Sequence, residues 1–113
     1  MHLVGQISAL TEATDNLEDV LVRYKRAIAG LAAHVEEGES VLEAFDGLDG
    51  AMLRQRELTE TFEEFEGARH RVRLALFALA MAQGASLSEL GRRLGISRQL
   101  ASRLAAEAEG TNS

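Results

Sequence analysis

The sequence predicts an all-α chain: a long N-terminal helical or coiled-coil hairpin followed by a small three-helix unit. Three observations predict it. Apolar residues recur in alternating steps of three and four over long stretches, the spacing that keeps one helix face apolar. Proline is absent, so nothing forces a helix to stop and boundaries must come from Gly, Asp and capping residues. The C-terminal third is punctuated by cap-and-glycine signals spaced for short helices.

The first element is a seam of Leu3, Ile7, Leu10, Leu17, Leu21, Tyr24, Ile28, Leu31 and Val35, interrupted only at Thr14. A stripe sustained this long suits a coiled coil or a helical hairpin better than a short bundle helix. "TEATDNLEDV" supplies caps and first-turn acids, so the helix is expected to begin near Thr11 or Thr14, with residues 3 to 10 as a separate helical turn. Gly38 in "HVEEGES" is the expected breaker, and Ser40 can cap a short helix bearing Val41, Leu42 and Phe45. "FDGLDG" holds two Asp-Gly pairs, which place a bend at 46 to 50.

A second seam then runs through Leu58, Phe62, Phe65, Val72, Leu76 and Leu79, with Arg69 in one slot, and predicts one helix from about 50 to 83 that Gly67 can kink. Phe62 and Phe65 are expected to turn inward, with the acids of "TETFEEFEG" outside. Two seams of this length have little material to cover them within 113 residues. A second copy of the chain is the economical cover, since most soluble oligomers are twofold homodimers; a hairpin in which one seam packs on the other is the alternative.

Charge divides the chain into an acidic region, residues 1 to 66, and a basic one, residues 67 to 113. The first holds fifteen acids against five bases and the second three acids against seven arginines, net charges of −10 and +4. The Debye length is about 8 Å at physiological salt, so a phosphate near the basic region feels mainly its arginines. The net charge of −6 therefore does not exclude DNA. Read blandly, the acids are a solvated helix face and the arginines scattered surface charge. One lysine, Lys25, stands against eleven arginines and eighteen alanines, a bias of GC-rich coding that hints at a bacterium. "MHLVGQISAL" lacks the basic and apolar regions of a secretory leader, and no apolar run approaches the roughly 18 to 20 residues of a membrane span, so a cytoplasmic protein is expected.

The basic region carries the clearest motif, "SLSELGRRLGISRQLASRLAAEA". Ser86 to Glu89 form a capping box, so a helix starts near Leu87 and carries Leu90 and Leu94 on one face. Gly95 supplies a sharp turn, Ile96 an apolar anchor and Ser97 a second cap, after which Leu100 and Leu104 lie one turn apart. Helix, glycine turn and helix make a helix-turn-helix. Gly91 and Ala101 occupy the positions where the two helices should cross most tightly. Leu90, Leu94, Ile96, Leu100 or Ala101, and Leu104 are expected to close a core against Leu74, Phe77, Ala78 and Met81. The outward face then carries Arg98, Gln99, Ser102 and Arg103, side chains able to read base edges or hold phosphates. Ser97, Arg92 and Arg93 complete the candidate DNA-contacting set. Arg69, Arg71 and Arg73 are read as the solvated side of the preceding helix, Arg69 neutralising Glu66 or Glu63, ahead of a role in backbone contacts.

Over residues 70 to 107, and most closely in "LGISRQLASRL", the chain resembles the helix-turn-helix transcriptional regulators, in the simple three-helix form of many bacterial regulators and of the promoter-binding domain of sigma factors. The resemblance implies that Ser97 to Leu104 form the recognition helix in the major groove. That family usually has Ala where Gly91 stands and Val or Ile where Ala101 stands, and the nine residues after Leu104 leave no room for a wing.

Other chemistry is not expected. Cysteine is absent, so thiolate ligands and Cys nucleophiles are excluded. His2, His34 and His70 lack ligand spacing, and Glu66 with His70, one helical turn apart, reads as surface chemistry rather than a metal site. No phosphate loop, nucleophile elbow or paired-carboxylate arrangement is visible, so neither an enzyme nor a cofactor is expected. The sequence thus points to a homodimeric, DNA-binding transcriptional regulator. The alternative is a helical interaction module, or adaptor, whose helix-turn-helix is only scaffold and whose acidic arm docks a basic protein.

Overall fold

The computed structural model describes residues 2 to 47 and 55 to 112. Among them the chain is all-α, with α1 at Leu3–Glu36, α2 at Val41–Asp46, α3 at Gln55–Ala82, α4 at Leu87–Leu94 and α5 at Arg98–Asn112. No helix among the described residues is long and apolar enough to cross a membrane.

The helix ends follow local rules. α1 closes at Gly38, whose φ of 96° lets its amide donate to the Val35 carbonyl at 3.0 Å while Glu39 donates to that of His34 at 3.2 Å. This paired closure satisfies two of the carbonyls that every helix end leaves open. Ser40 then caps α2, its hydroxyl accepting from the Glu43 amide at 3.2 Å. The first Asp-Gly pair ends that helix at Gly47. The second pair, Asp49 and Gly50, and the expected start of the next helix near residue 50, lie outside the described residues.

One expectation about the long helices is corrected. α1 does not restart near Thr11 or Thr14: it is continuous from Leu3, and the His2 ring caps it, Nδ1 accepting from the Gly5 amide at 3.1 Å. Thr14 stays within the helix because a single polar residue in a seam of this length costs less than breaking a continuous hydrogen-bond ladder. α3 is one helix through Gly67, as the second seam predicts. The space a side chain would take there is used by the Arg71 guanidinium, 3.3 Å from where a Cβ would sit.

Packing gathers the chain into two units: residues up to Thr11 with those from Glu66 onward, and Glu12 to Phe65. The second unit, the middle of the chain, buries Leu17, Val20 and Ala44, and an ion pair of 3.3 Å joins Arg23 on α1 to Glu57 on α3. Its seam is only half used. Leu17 is buried and Tyr24 and Leu31 are half-buried, whereas Leu21, Ile28 and Val35 keep 40, 45 and 43% of their surface in water. Phe62, expected to turn inward, is also exposed, while Phe65 is half-buried.

The unit that contains the termini has the tighter core. Leu74 and Phe77 of α3 meet Ala101, Leu104, Ala105 and Ala108 of α5, with Ala78, Met81, Leu87, Leu90, Ile96 and Leu100 around them. Leu94 does not join this core and is exposed: it is the last residue of α4, where the chain turns away at Gly95. Ala105 and Ala108, which no pattern of large residues marks, take that place because small side chains let α5 lie close to α3.

Candidate nucleic-acid interface

α4 opens with the capping box its sequence announces. The Ser86 hydroxyl accepts from the Glu89 amide at 3.1 Å, and the Glu89 carboxylate accepts from the Ser86 amide at 3.3 Å and hydroxyl at 3.0 Å. These hydrogen bonds, chiefly that from the Ser86 side chain, hold the Glu89 carboxyl below its usual range, with help from Arg93 and Arg92. Gly95, at φ 68° and ψ 31°, closes the helix: its amide donates to Arg92 at 3.3 Å and that of Ile96 to Gly91 at 3.0 Å. Only a residue at ease in the left-handed region turns the chain this sharply. Ser97 starts α5 by accepting from the Leu100 amide at 3.1 Å.

α4 and α5 then cross where the small residues stand. A Cβ added at Gly91 would lie 3.4 Å from the Ile96 carbonyl oxygen and 3.8 Å from the Ala101 Cβ, and Ala101 is fully buried. This crossing, with Leu104 and Ala108 turned to the core, leaves the other side of α5 to water. Ser97, Arg98, Gln99, Ser102 and Arg103 are all exposed there. Among the described residues, neither Arg98 nor Arg103 is engaged by a carboxylate.

The residues of α4 divide. Arg92 shares with Arg98 an open groove of about 240 Å³, lined also by Leu87, Ser88, Gly91 and Ile96, so arginines from two helices line one depression. Arg93 is turned back along its own helix toward Glu89, at 3.8 Å. Arg69 pairs with Glu66 at 3.0 Å on α3, and Arg71 folds over Gly67. Glu109 is exposed toward the end of α5, whereas Glu107 is held by His70 of α3 at 2.9 Å. That pair, between residues 37 positions apart, had no signal in the sequence, where Glu66 was the visible neighbour of His70. His34 pairs with Glu39 across the turn at Gly38, at 2.6 Å. No group of three or more possible metal ligands occurs among the described residues.

A second concavity was not legible either. His2, Leu3 and Val4 of the N-terminal segment and Ala75, Ala78 and Leu79 of α3 line an open, mainly apolar groove of about 430 Å³. The alternation of small and large residues in "LALFALAMA" is the only trace of it in the sequence. Comparison of the chain with family models, curated proteins and solved structures finds no match.

Proposed function

We propose that the chain is a sequence-specific DNA-binding transcriptional regulator of the bacterial cytoplasm. It binds double-stranded DNA as a homodimer, with the Ser97 to Leu104 segment in the major groove. The observation that carries this reading is the face of α5: Arg98, Gln99, Ser102 and Arg103 are exposed together, and the two arginines are free of carboxylates among the described residues. Guanidinium groups left unneutralised on a helix of this kind suit phosphate oxygens and guanine edges, and Gln99 offers the paired donor and acceptor that adenine presents. The groove shared by Arg92 and Arg98 adds positive charge beside that face. Arg93 and Ser97 stand as flanking contacts.

Dimeric regulators of this type present their reading helices about 34 Å apart, so the expected site is an inverted repeat with half-sites one helical turn apart. Affinity resting on phosphate contacts should fall steeply as salt rises. A gel-shift titration against genomic fragments under heparin competition tests the reading. Exchanging Arg98 and Arg103 together for Ala should abolish the salt-sensitive complex while leaving the circular dichroism spectrum unchanged. Operator affinity retained in that double variant would overturn the assignment.

The second reading, a helical adaptor with its helix-turn-helix as scaffold, draws on a separate observation: Val41, Leu42 and Phe45 of α2 are exposed within an acidic unit. An apolar patch rimmed by carboxylates suits a basic, amphipathic protein partner. Absence of any heparin-resistant DNA complex would favour this reading.

A further inference from the structure

The middle unit shows which side of its hairpin is unfinished. On α1, with about 100° between successive residues, Leu17, Val20, Tyr24 and Leu31 centre on the buried side. Arg23 lies to one flank of that centre, and Leu21, Ile28 and Val35 lie to the other. On α3, Glu57 and Phe62 flank Leu58 and Phe65 in the same manner. Because Arg23 meets Glu57 at 3.3 Å, those two residues mark one side of the hairpin, and the exposed Leu21 row and Phe62 share the opposite side.

Charge is distributed by the same rule. Glu12, Asp19, Glu57, Glu60 and Glu64 fall toward the Arg23 side by helical periodicity. Beside the apolar row, the α1 residues next to Leu21 along the helix surface are Glu18, three positions before it, and Lys25, four after; both are exposed. The open side of a strongly acidic unit is therefore apolar; beside Leu21 its edge carries Glu18 and Lys25, with the exposed Glu36 further along α1 and Glu63 behind Phe62 on α3.

We propose that the occupant of this side is a second copy of the chain, its α1 antiparallel to the first, with Leu21 at the twofold axis. Leu21 then meets its own counterpart, Ile28 faces the partner's Thr14, and Lys25 of each copy lies beside Glu18 of the other. In a parallel arrangement the same flank of the two helices falls on opposite sides of the contact, so Glu18 and Lys25 would find no partner across it; only the antiparallel one brings them together. Phe62 extends the contact onto α3, and two hairpins joined in this way form a four-helix bundle. The carboxylates of the Arg23 side stay outward, where two acidic units repel least. The exposed ion pairs choose orientation, and the apolar row supplies the attraction. This inference deepens the homodimer in the function proposed above and rests on that part of it.

Sedimentation of the full chain without DNA tests it. At micromolar concentration the wild type should sediment at twice its 12.3 kDa mass. Glu18→Lys alone and Lys25→Glu alone should each weaken the dimer by about three- to tenfold, and the two together should restore it, since the pairing charges are merely exchanged. Both positions are exposed, so neither change threatens the fold. Leu21→Cys introduces the only thiol in a chain without cysteine and should cross-link the dimer on oxidation, whereas Arg23→Cys on the opposite side should not. A monomeric wild type, charge exchanges that fail to compensate, or equal cross-linking from Arg23→Cys would each overturn the proposal. The DNA reading is judged separately: a chain that remains monomeric yet still gives an Arg98- and Arg103-dependent, salt-sensitive complex sinks the pairing and leaves the DNA contact standing.

Discussion

The two units solve the same problem, covering apolar helix faces in a short chain, to different degrees. In the unit that carries the termini, Phe77, Ala101 and Ala108 are fully buried and the large residues of α4 and α5 are mostly drawn onto one core. Among the described residues the middle unit buries Leu17, Val20 and Ala44, and leaves Leu21, Ile28, Val35 and Phe62 in water. The contrast lies in geometry more than in composition. α3, α4 and α5, the last two crossing at Gly91 and Ala101, enclose a volume, so their outer faces are released for polar work. In the middle unit α1 and the first turns of α3 lie side by side along a line of contact, and part of each stripe stays open. A unit with a closed core can present arginines to a ligand; a unit with an open seam presents its apolar residues.

The largest effect is expected at the closed core. Phe77→Ala should cost about 3–5 kcal/mol, because no neighbouring side chain can refill the space of a fully buried ring. Leu94→Ala, at a residue 40% exposed, should cost about 1 kcal/mol or less. Chemical denaturation of the two variants side by side checks the ordering, and equal losses would mean that the core extends to Leu94.

A smaller effect is expected at the entrance to α4. Ser86→Ala should cost about 1 kcal/mol through loss of the cap. The capping box also carries a pH dependence. Because the Ser86 hydrogen bonds lower the folded-state value of the Glu89 carboxyl, the charged form is favoured by folding. Its contribution is complete above the ordinary carboxylate range and is lost as pH falls through the lowered value. Thermal melts of wild type and Glu89→Gln from neutral to acid pH should therefore converge at the acid end. Curves that stay parallel throughout would show that the carboxylate charge adds nothing to the box.

The smallest effect sharpens the helix crossing. Gly91→Ala places a methyl group 3.4 Å from the Ile96 carbonyl oxygen, at the tight edge of ordinary contact, and gains roughly 0.8–1 kcal/mol of helix propensity. The two terms nearly cancel, and a melting temperature equal to or slightly above that of wild type is expected. A loss of several degrees would mean that the crossing is tighter than 3.4 Å.

Much of the candidate interface was legible because its signals are local. Ser40, Ser86 and Ser97 cap helices, and Gly38 and Gly95 close them, through hydrogen bonds that span three to five residues. A serine or glycine in the right place is nearly sufficient for such features. The outward placement of Arg98, Gln99, Ser102 and Arg103 followed from the same reasoning, since Leu100 and Leu104 set the inward face of a short helix. The failures concern choices between equivalent patterns. Every seam position from Leu3 to Val35 looks alike in sequence, and only the folded structure divides them into covered and exposed positions. Leu94 carries a core residue's chemistry at a helix end whose direction is set by Gly95. Ala105 and Ala108 carry no large side chain, yet lie where two helices approach closely.

Periodicity, caps and the absence of proline were enough to specify an all-helical chain, most of its helix boundaries and the separation of acidic from basic residues, because each depends on interactions within a few positions. Tertiary packing alone decided which half of the first seam is covered, that Glu107 rather than Glu66 holds His70, and that Arg92 meets Arg98 in one groove. Those outcomes join residues far apart along the chain, and a one-dimensional pattern carries no distance between them until the helices have been laid against one another.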